Sequence, residues 1–320
     1  MDIVLFLQNL GDGLAPVMQF FTSLGFEEFY LVIMPAIYWC FDTVIGARLA
    51  IMLVATTGVN AILKVAFHSP RPFWVSNEVH AMSSETSFGL PSGHSQNAVS
   101  LWGIWASSMK RRWAWIVAIV VAFMIGFSRL YLGMHFPIDV LVGWLVGGII
   151  LWAFIRLEPP TLKWFKGYSI WGQIITVALV SIGILLIGNL ALWGLKDWQI
   201  PLDWIQNATQ AGTPPEPISH DGITTAAAIF FGLGSGLILI KQKRGFDPKG
   251  VLWKRLVRYL LGIVGTVAIW AGLKAVFPSG EEFIPQAFRY IRYGLLGFWV
   301  AAGAPLIFRW LKLAGPAKQE

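Results

Sequence analysis

Charge is scarce in this sequence. Asp, Glu, Lys and Arg together make up 13% of 320 residues, about half the share usual in a soluble domain. There is one cysteine, Cys40, set in an apolar run, so an intrachain disulfide framework is excluded. Polar low-complexity tracts and short-period repeats are absent, and 56% hydrophobic content excludes a disordered chain. What is abundant is apolar sequence, with a mean hydropathy of +0.64. The composition is that of an all-α, polytopic membrane protein. A net charge of +7 would suit a nucleic-acid binder, but the basic residues stand in short clusters between apolar runs, which argues for membrane loops and against nucleic acid.

A bilayer core of about 30 Å takes roughly 20 apolar residues in a helix. About nine stretches qualify, near 28–43, 45–67, 94–109, 114–132, 138–156, 168–193, 222–240, 251–275 and 284–310. Residues 3–22 hold Gly11, Gly13 and Pro16 and no Lys or Arg. They lack the basic start of a signal peptide and read as an interfacial or half-inserted helix. Placing Arg48 and segments 110–112, 156–167, 241–258 and 309–320 inside puts 17 of the 24 Lys and Arg on the cytoplasmic side. Lys64, Arg71 and Arg129 break that rule together, beside loops 68–93 and 129–138 on the outer face. The proline-bearing connection 194–221 reads as an external loop, with Asn207-Ala208-Thr209 an incidental sequon. The expected organisation is a core at 1–160 and a C-terminal four-helix extension at 161–320.

Three segments carry chemistry. Lys64 lies near the outer end of its span and Arg71-Pro72 follows, so that two cations can converge on one anion. In Pro91-Ser92-Gly93-His94, Ser92 suits an N-cap, Gly93 permits close approach, and the free N–H groups of a helix start favour a phosphate. Ser128-Arg129 is followed by His135 and Asp139, four residues apart and on one face if helical. Asp139 can then hold one imidazole nitrogen and leave the other free as base or nucleophile, while Arg129 offers a planar fork to phosphoryl oxygens. No carboxylate cluster suited to magnesium accompanies them, so the set reads as phosphoryl transfer without a metal or cofactor.

In this order, Lys-x6-Arg-Pro, Pro-Ser-Gly-His and Ser-Arg-x5-His-x3-Asp resemble the three signature motifs of the type 2 phosphatidic acid phosphatase superfamily, over roughly 45–156. The resemblance implies a helical phosphatase core with His135 as nucleophile forming a phosphohistidine, Asp139 as its orienter and His94 as the acid for the leaving oxygen. Lys64, Arg71, Ser92, Gly93 and Arg129 would hold the phosphate. Phe246-Asp247-Pro248, Lys254-Arg255 to Arg258, and Phe288-Arg289-Tyr290-Ile291-Arg292-Tyr293-Gly294 resemble the tail of sphingosine-1-phosphate phosphatases. Phe73-Trp74 and Met134-His135-Phe136-Pro137 are also similar to bacterial members and glucose-6-phosphatase.

The expected function is hydrolysis of a long-chain lipid phosphate monoester, sphingoid-base or phosphatidate-like. Alternatives are a polyprenyl phosphate or pyrophosphate phosphatase, a lipid phosphotransferase and, outside enzymes, a lipid transporter or scramblase. The partners implied are that lipid substrate and the surrounding membrane lipids; nothing in the sequence specifies an oligomeric state. The active site would face outward from a prokaryotic inner membrane, or into the lumen of a eukaryotic endoplasmic reticulum. Arg289 and Arg292 are expected to pair with Glu281 and Glu282 or to contact a headgroup. Glu78 and Glu85 read first as solvated loop carboxylates, second as entrance or amine-selecting groups. His68, His80 and His220 read as loop or solvated histidines.

Overall fold

The computed structural model describes residues 1–317, with the side chains of all but 27 and 28. Lys318, counted above among the cytoplasmic cations, lies outside the described residues. Among those described, every regular element is a helix. In chain order these include α1 (Asp2–Gln8), α2 (Ala15–Ser23), α3 (Glu27–Cys40), α4 (Thr43–Phe67), α5 (Pro72–Val75), α6 (Gly93–Met109), α7 (Arg112–Tyr131) and α8 (Pro137–Lys166). There follow α9 (Ile170–Trp193), α10 (Leu202–Gln210), α11 (Asp221–Gln242), α12 (Leu252–Val267), α13 (Leu273–Val276), α14 (Phe283–Phe298) and α15 (Ala304–Trp310).

Among the described residues, seven helical runs are long and apolar enough to cross a membrane. The other two of the nine expected are the shorter apolar helix at Phe29–Cys40 and α6, whose 17 residues extend about 25 Å. Residues 3–22 form no continuous helix. Gly11, at φ +91, separates α1 from a short 3-10 turn at Asp12–Leu14 that leads into α2. Ile3, Phe6, Val17 and Phe20 are exposed along this segment.

The chain forms two compact units, each assembled from separate stretches. The first comprises Met1–Phe29, Val59–Ile155 and Ile187–Ser219, and the second Tyr30–Gly58, Arg156–Leu186 and the chain from His220 onward. In the first unit, α6 and α8 meet through glycine. A Cβ on Gly147 would lie 2.5 Å from the Gln96 carbonyl oxygen, and one on Gly143 2.7 Å from that of Ser92. This closeness brings the start of α8, with Asp139, beside the start of α6, with His94. Ser92 N–H donates to the Asp139 carbonyl at 2.9 Å, and Ser100 Oγ to that of Gly147 at 3.2 Å.

The connection at 194–221, read as an external loop, contains α10, which begins after Pro201 and ends before Gly212 at φ +78. Asn207 Nδ2 donates to the Trp74 carbonyl at 3.0 Å, and Glu216 N–H to that of Thr86 at 3.0 Å. The sequon asparagine is therefore a structural tie to α5. The N-terminal segment is also latched on: Gln8 Nε2 donates to the His80 carbonyl at 2.7 Å, and Tyr131 Oη to that of Gly11 at 2.6 Å.

In the second unit, α11 packs closely on α14. A Cβ on Gly297 would stand 2.8 Å from the Ile229 carbonyl oxygen. A π turn at Trp299–Gly303 interrupts the helix between α14 and α15. Carbonyls displaced from the α-helical ladder there accept side-chain donors, Trp39 Nε1 at Val300 and Tyr38 Oη at Ala301, both at 2.9 Å. Arg258, fully buried, donates to the carbonyls of Asp247, Pro248 and Lys249 at 2.7–3.2 Å, so the Phe246-Asp247-Pro248 segment is held by a structural arginine.

Candidate active site

The motif residues expected to act, Lys64, Arg71, Ser92, Gly93, His94, Arg129, His135 and Asp139, all lie in the first unit, at or beside the ends of α4, α5, α6, α7 and α8. Ser92 caps α6, its Oγ accepting the Ser95 N–H at 3.4 Å, and is fully buried. The N–H groups of Gly93 and His94 fall in the first turn, where no intrahelical acceptor exists for them. A Cβ on Gly93 would lie 3.1 Å from Asn60 Oδ1. Asn60 Nδ2 in turn donates to the Pro91 carbonyl at 3.2 Å and to Gln96 Oε1 at 2.9 Å, pinning the turn that presents His94.

His135 and Asp139 are both buried, 3.3 Å apart from Nδ1 to Oδ2. The same Oδ2 accepts the Phe136 N–H at 2.9 Å, so the carboxylate is aligned by the backbone that carries the imidazole. On the other side of the ring, Arg71 Nη1 lies 3.3 Å from His135 Nε2. A guanidinium can only donate, so Nε2 must accept and the proton sits on Nδ1, facing Asp139. The tautomer is fixed from both sides, with a lone pair on Nε2. Burial, and then Arg71 and Arg129, hold the His135 pKa well below the ordinary histidine value and keep the ring neutral.

Arg71, without solvent exposure, is the most heavily bonded cation. Its Nε donates to the Ser87 carbonyl at 2.6 Å, Nη1 also to Met134 O at 3.1 Å, and Nη2 to Ser87 Oγ and Phe88 O, each at 3.2 Å. Lys64 Nζ donates to Ser87 Oγ at 2.7 Å. Arg129 Nη1 donates to Thr22 Oγ1 at 2.9 Å. His94 packs against the N-terminal segment: Phe26 meets its ring edge-on at 5.0 Å, and a Cβ on Gly25 would lie 2.7 Å from its Cδ2.

Glu85 corrects the reading of a solvated loop carboxylate. It reaches into the cation cluster, with Oε1 2.9 Å from Arg129 Nη2 and Oε2 3.4 Å from Arg71 Nη2, and His94 Nδ1 3.9 Å from Oε1. Two buried guanidinium groups that bond both of its oxygens together offset the desolvation of a carboxylate placed between them. Burial alone would raise its pKa, but Arg71, and then Arg129 and Lys64, outweigh that and hold it well below the usual carboxylate range. Glu78, in the same loop, is exposed.

Arg289 and Arg292 belong to the second unit. Arg289 does not pair with Glu281 or Glu282: its Nη1 contacts Asp221 Oδ2 at 2.7 Å and its Nε donates to Thr225 Oγ1 at 3.0 Å. Glu281 is engaged instead by His220, at 2.9 Å, because both flank the loop side of α11 and α14. Arg292 is buried with its guanidinium 4.9 Å from the Tyr293 ring centroid. Among the described residues, no three His, Cys, Asp or Glu side chains group as metal ligands.

Thr22, Asn60 and Ser87 were not singled out from sequence. Asn60 had a signal, as a polar residue in an apolar span one helical turn before Lys64. Thr22 and Ser87 had none.

Comparison with known proteins gives two family matches. Residues 45–162 match the PAP2 superfamily, and residues 224–316 match the transmembrane extension of PAP2 superfamily phosphatases. The chain is 31% identical over 115 residues to an undecaprenyl-diphosphatase of Sulfolobus acidocaldarius, covering 36% of this chain and 55% of that protein. It is 30% identical to glucose-6-phosphatase 3 of Bos taurus, covering 63% of this chain and 62% of that one. With sphingosine-1-phosphate phosphatase 2 of Mus musculus it shares 22% identity over 92% of this chain and 87% of the relative. The first two alignments thus take in less than two thirds of the relatives' own lengths.

Proposed function

This chain belongs to the PAP2 superfamily, and on that premise we propose that it is a multi-pass membrane phosphatase releasing phosphate from a long-chain lipid phosphate through a phosphohistidine. The observation that carries the proposal is the meeting of buried His135, Asp139, Arg71 and Arg129 with the partly buried His94 and Lys64 at one cluster beside a helix N-terminus.

His135 Nε2 attacks phosphorus as the bond to the lipid oxygen breaks, and His94 gives that oxygen its proton. Asp139 accepts the Nδ1 proton's hydrogen bond throughout and stabilises the positive charge that the ring acquires. Lys64, Arg71, Arg129 and the α6 N–H groups face the equatorial oxygens, where charge builds in the transition state. Water then attacks the phosphohistidine, His94 takes its proton, and inorganic phosphate leaves. The charge on the phosphoryl oxygens is balanced by these side chains, so no metal is assigned a role.

A sphingoid-base or phosphatidate-like monoester is the favoured substrate, since similarity to a sphingosine-1-phosphate phosphatase runs through the extension as well as the core. The second reading, a polyprenyl pyrophosphate, is favoured by the more identical but shorter match to an undecaprenyl-diphosphatase. The site is assigned to the outer or lumenal face, because Lys64, Arg71 and Arg129 then lie opposite the main cationic loops.

Phosphate release from long-chain base phosphate, phosphatidate and polyprenyl pyrophosphate, measured in detergent with EDTA, tests this. Activity that survives EDTA and is lost in His135→Ala is expected, and undiminished turnover in that variant would refute it.

A further inference from the structure

Glu85 is a carboxylate lodged among the groups assigned to the substrate phosphate. It takes the Nη2 atoms of both Arg129 and Arg71, at 2.9 and 3.4 Å, and lies 3.9 Å from His94 Nδ1. A bound phosphoryl group needs the same donors, and two anions cannot share them without strong repulsion.

The surrounding chain shows what can move. The backbone on either side of Glu85 is tied down. Met82 N–H donates to the Leu132 carbonyl at 3.1 Å, the Thr86 carbonyl accepts from Glu216 at 3.0 Å, and the Ser87 carbonyl accepts from Arg71 at 2.6 Å. The Glu85 side chain, by contrast, keeps 22% of its surface exposed while both arginines have none, so it has a path outward. Rotation of this one side chain on a fixed loop needs no refolding. The cations stay in place without it. Arg71 keeps its bonds to Ser87, Phe88 and Met134, Lys64 its bond to Ser87, and Arg129 its bond to Thr22.

We propose that Glu85 is an internal competitor for the phosphate seat: the substrate phosphoryl group displaces it toward solvent, and its return helps expel the product phosphate. A pocket of three cations and a helix N-terminus would otherwise hold inorganic phosphate tightly and slow turnover by product inhibition. Glu85 lowers the affinity for every anion alike. A ligand with further contacts, such as a lipid tail held elsewhere, still binds against that cost, whereas free product phosphate, with no other contact, is released. This inference rests on the phosphatase reading of the same site.

The test is binding of inorganic phosphate to the detergent-solubilised full chain by titration calorimetry, with inhibition of lipid phosphate hydrolysis by phosphate and orthovanadate in parallel. In Glu85→Gln, which keeps the side chain's size and removes its charge, phosphate should bind on the order of tenfold or more tightly, and the inhibition constants should fall together. Glu85→Asp, whose shorter carboxylate retreats from the arginine pair, should shift binding the same way by less, and it decides the question if the glutamine variant does not fold. Unchanged or weaker phosphate binding in the variants, or none in any form of the protein, would overturn the proposal. A drop in kcat with unaltered phosphate affinity would instead make Glu85 a positioning residue for His94, which also overturns it. Tighter phosphate binding without hydrolysis of any lipid phosphate would support the competitor role and sink the phosphatase reading. Hydrolysis with unaltered phosphate affinity would do the reverse.

Discussion

Replacing Asp139 by asparagine separates two things the carboxylate does, holding the imidazole and supplying charge. A single oxygen, Oδ2, receives both the His135 Nδ1 proton at 3.3 Å and the Phe136 N–H at 2.9 Å, while Oδ1 is buried with no hydrogen-bond partner among the described residues. In Asp139→Asn, the amide oxygen placed at the Oδ2 position keeps both bonds, and the NH2 group falls where Oδ1 was. The opposite flip would aim an N–H at Nδ1 and drive the ring proton to Nε2, against Arg71 Nη1 at 3.3 Å, so it is disfavoured from both sides. The tautomer therefore survives, and what is lost is the negative charge beside a ring that turns cationic. Hydrogen bonds to charged partners exceed neutral ones by about 1 kcal/mol each, and two are affected, with some ion-pair energy besides. A loss of about 2–3 kcal/mol, or roughly 30- to 150-fold in kcat, is expected. Asp139→Ala frees the ring to rotate and should cost about 10³-fold or more. The assay is steady-state phosphate release by the two variants under saturating lipid, which reads kcat. Equal losses in both variants, of about 10⁴-fold, would refute the argument that one oxygen holds the tautomer.

Thr22→Val keeps the side chain's shape but leaves the buried Arg129 Nη1 without its 2.9 Å acceptor, which should lower kcat/KM on the order of tenfold; steady-state kinetics showing no change would remove the N-terminal segment from the site's support. Stability should also depend on pH. The folded-state pKa of His135 is depressed, so below about pH 6.5 the unfolded chain binds a proton that the folded chain refuses, and stability falls as pH drops from 6.5 toward the folded value. Glu85 acts in a lower window: its folded pKa is also depressed, so its stabilisation is complete above the unfolded value of about 4.3 and fades beneath it. Thermal unfolding in detergent should show the first slope reduced in His135→Asn and the second reduced in Glu85→Gln, and slopes identical to the parent would contradict both assignments.

Much of this was legible in the sequence because the constraints are local. Apolar runs long enough to cross a bilayer must be helices, since no other open structure satisfies its backbone in lipid. Ser92, Gly93 and His94 declare a helix start, and His135 and Asp139 announce their contact by four-residue spacing. Residues that join the site from afar carry no such mark. Thr22 meets Arg129 across 107 positions, and Glu85 reaches Arg129 across 44, in each case because a loop or a short helix returns to the cluster. Arg289 shows the complementary failure: Glu281 and Glu282 are near in sequence, but α14 packs on α11, whose Asp221 meets Arg289 at 2.7 Å. The same rule of proximity that finds His135–Asp139 misplaces Arg289, because the first pair is four residues apart, about one turn, while Glu282 stands at the N-cap of α14 about two turns before Arg289.

The covalent step is the centre of the account. The protein mixed for milliseconds with phosphorus-32-labelled lipid phosphate, quenched in base and mapped by peptide, should carry acid-labile label on His135, with none in His135→Ala. Label on another residue, or steady turnover with no label at His135 at any time point, would contradict it.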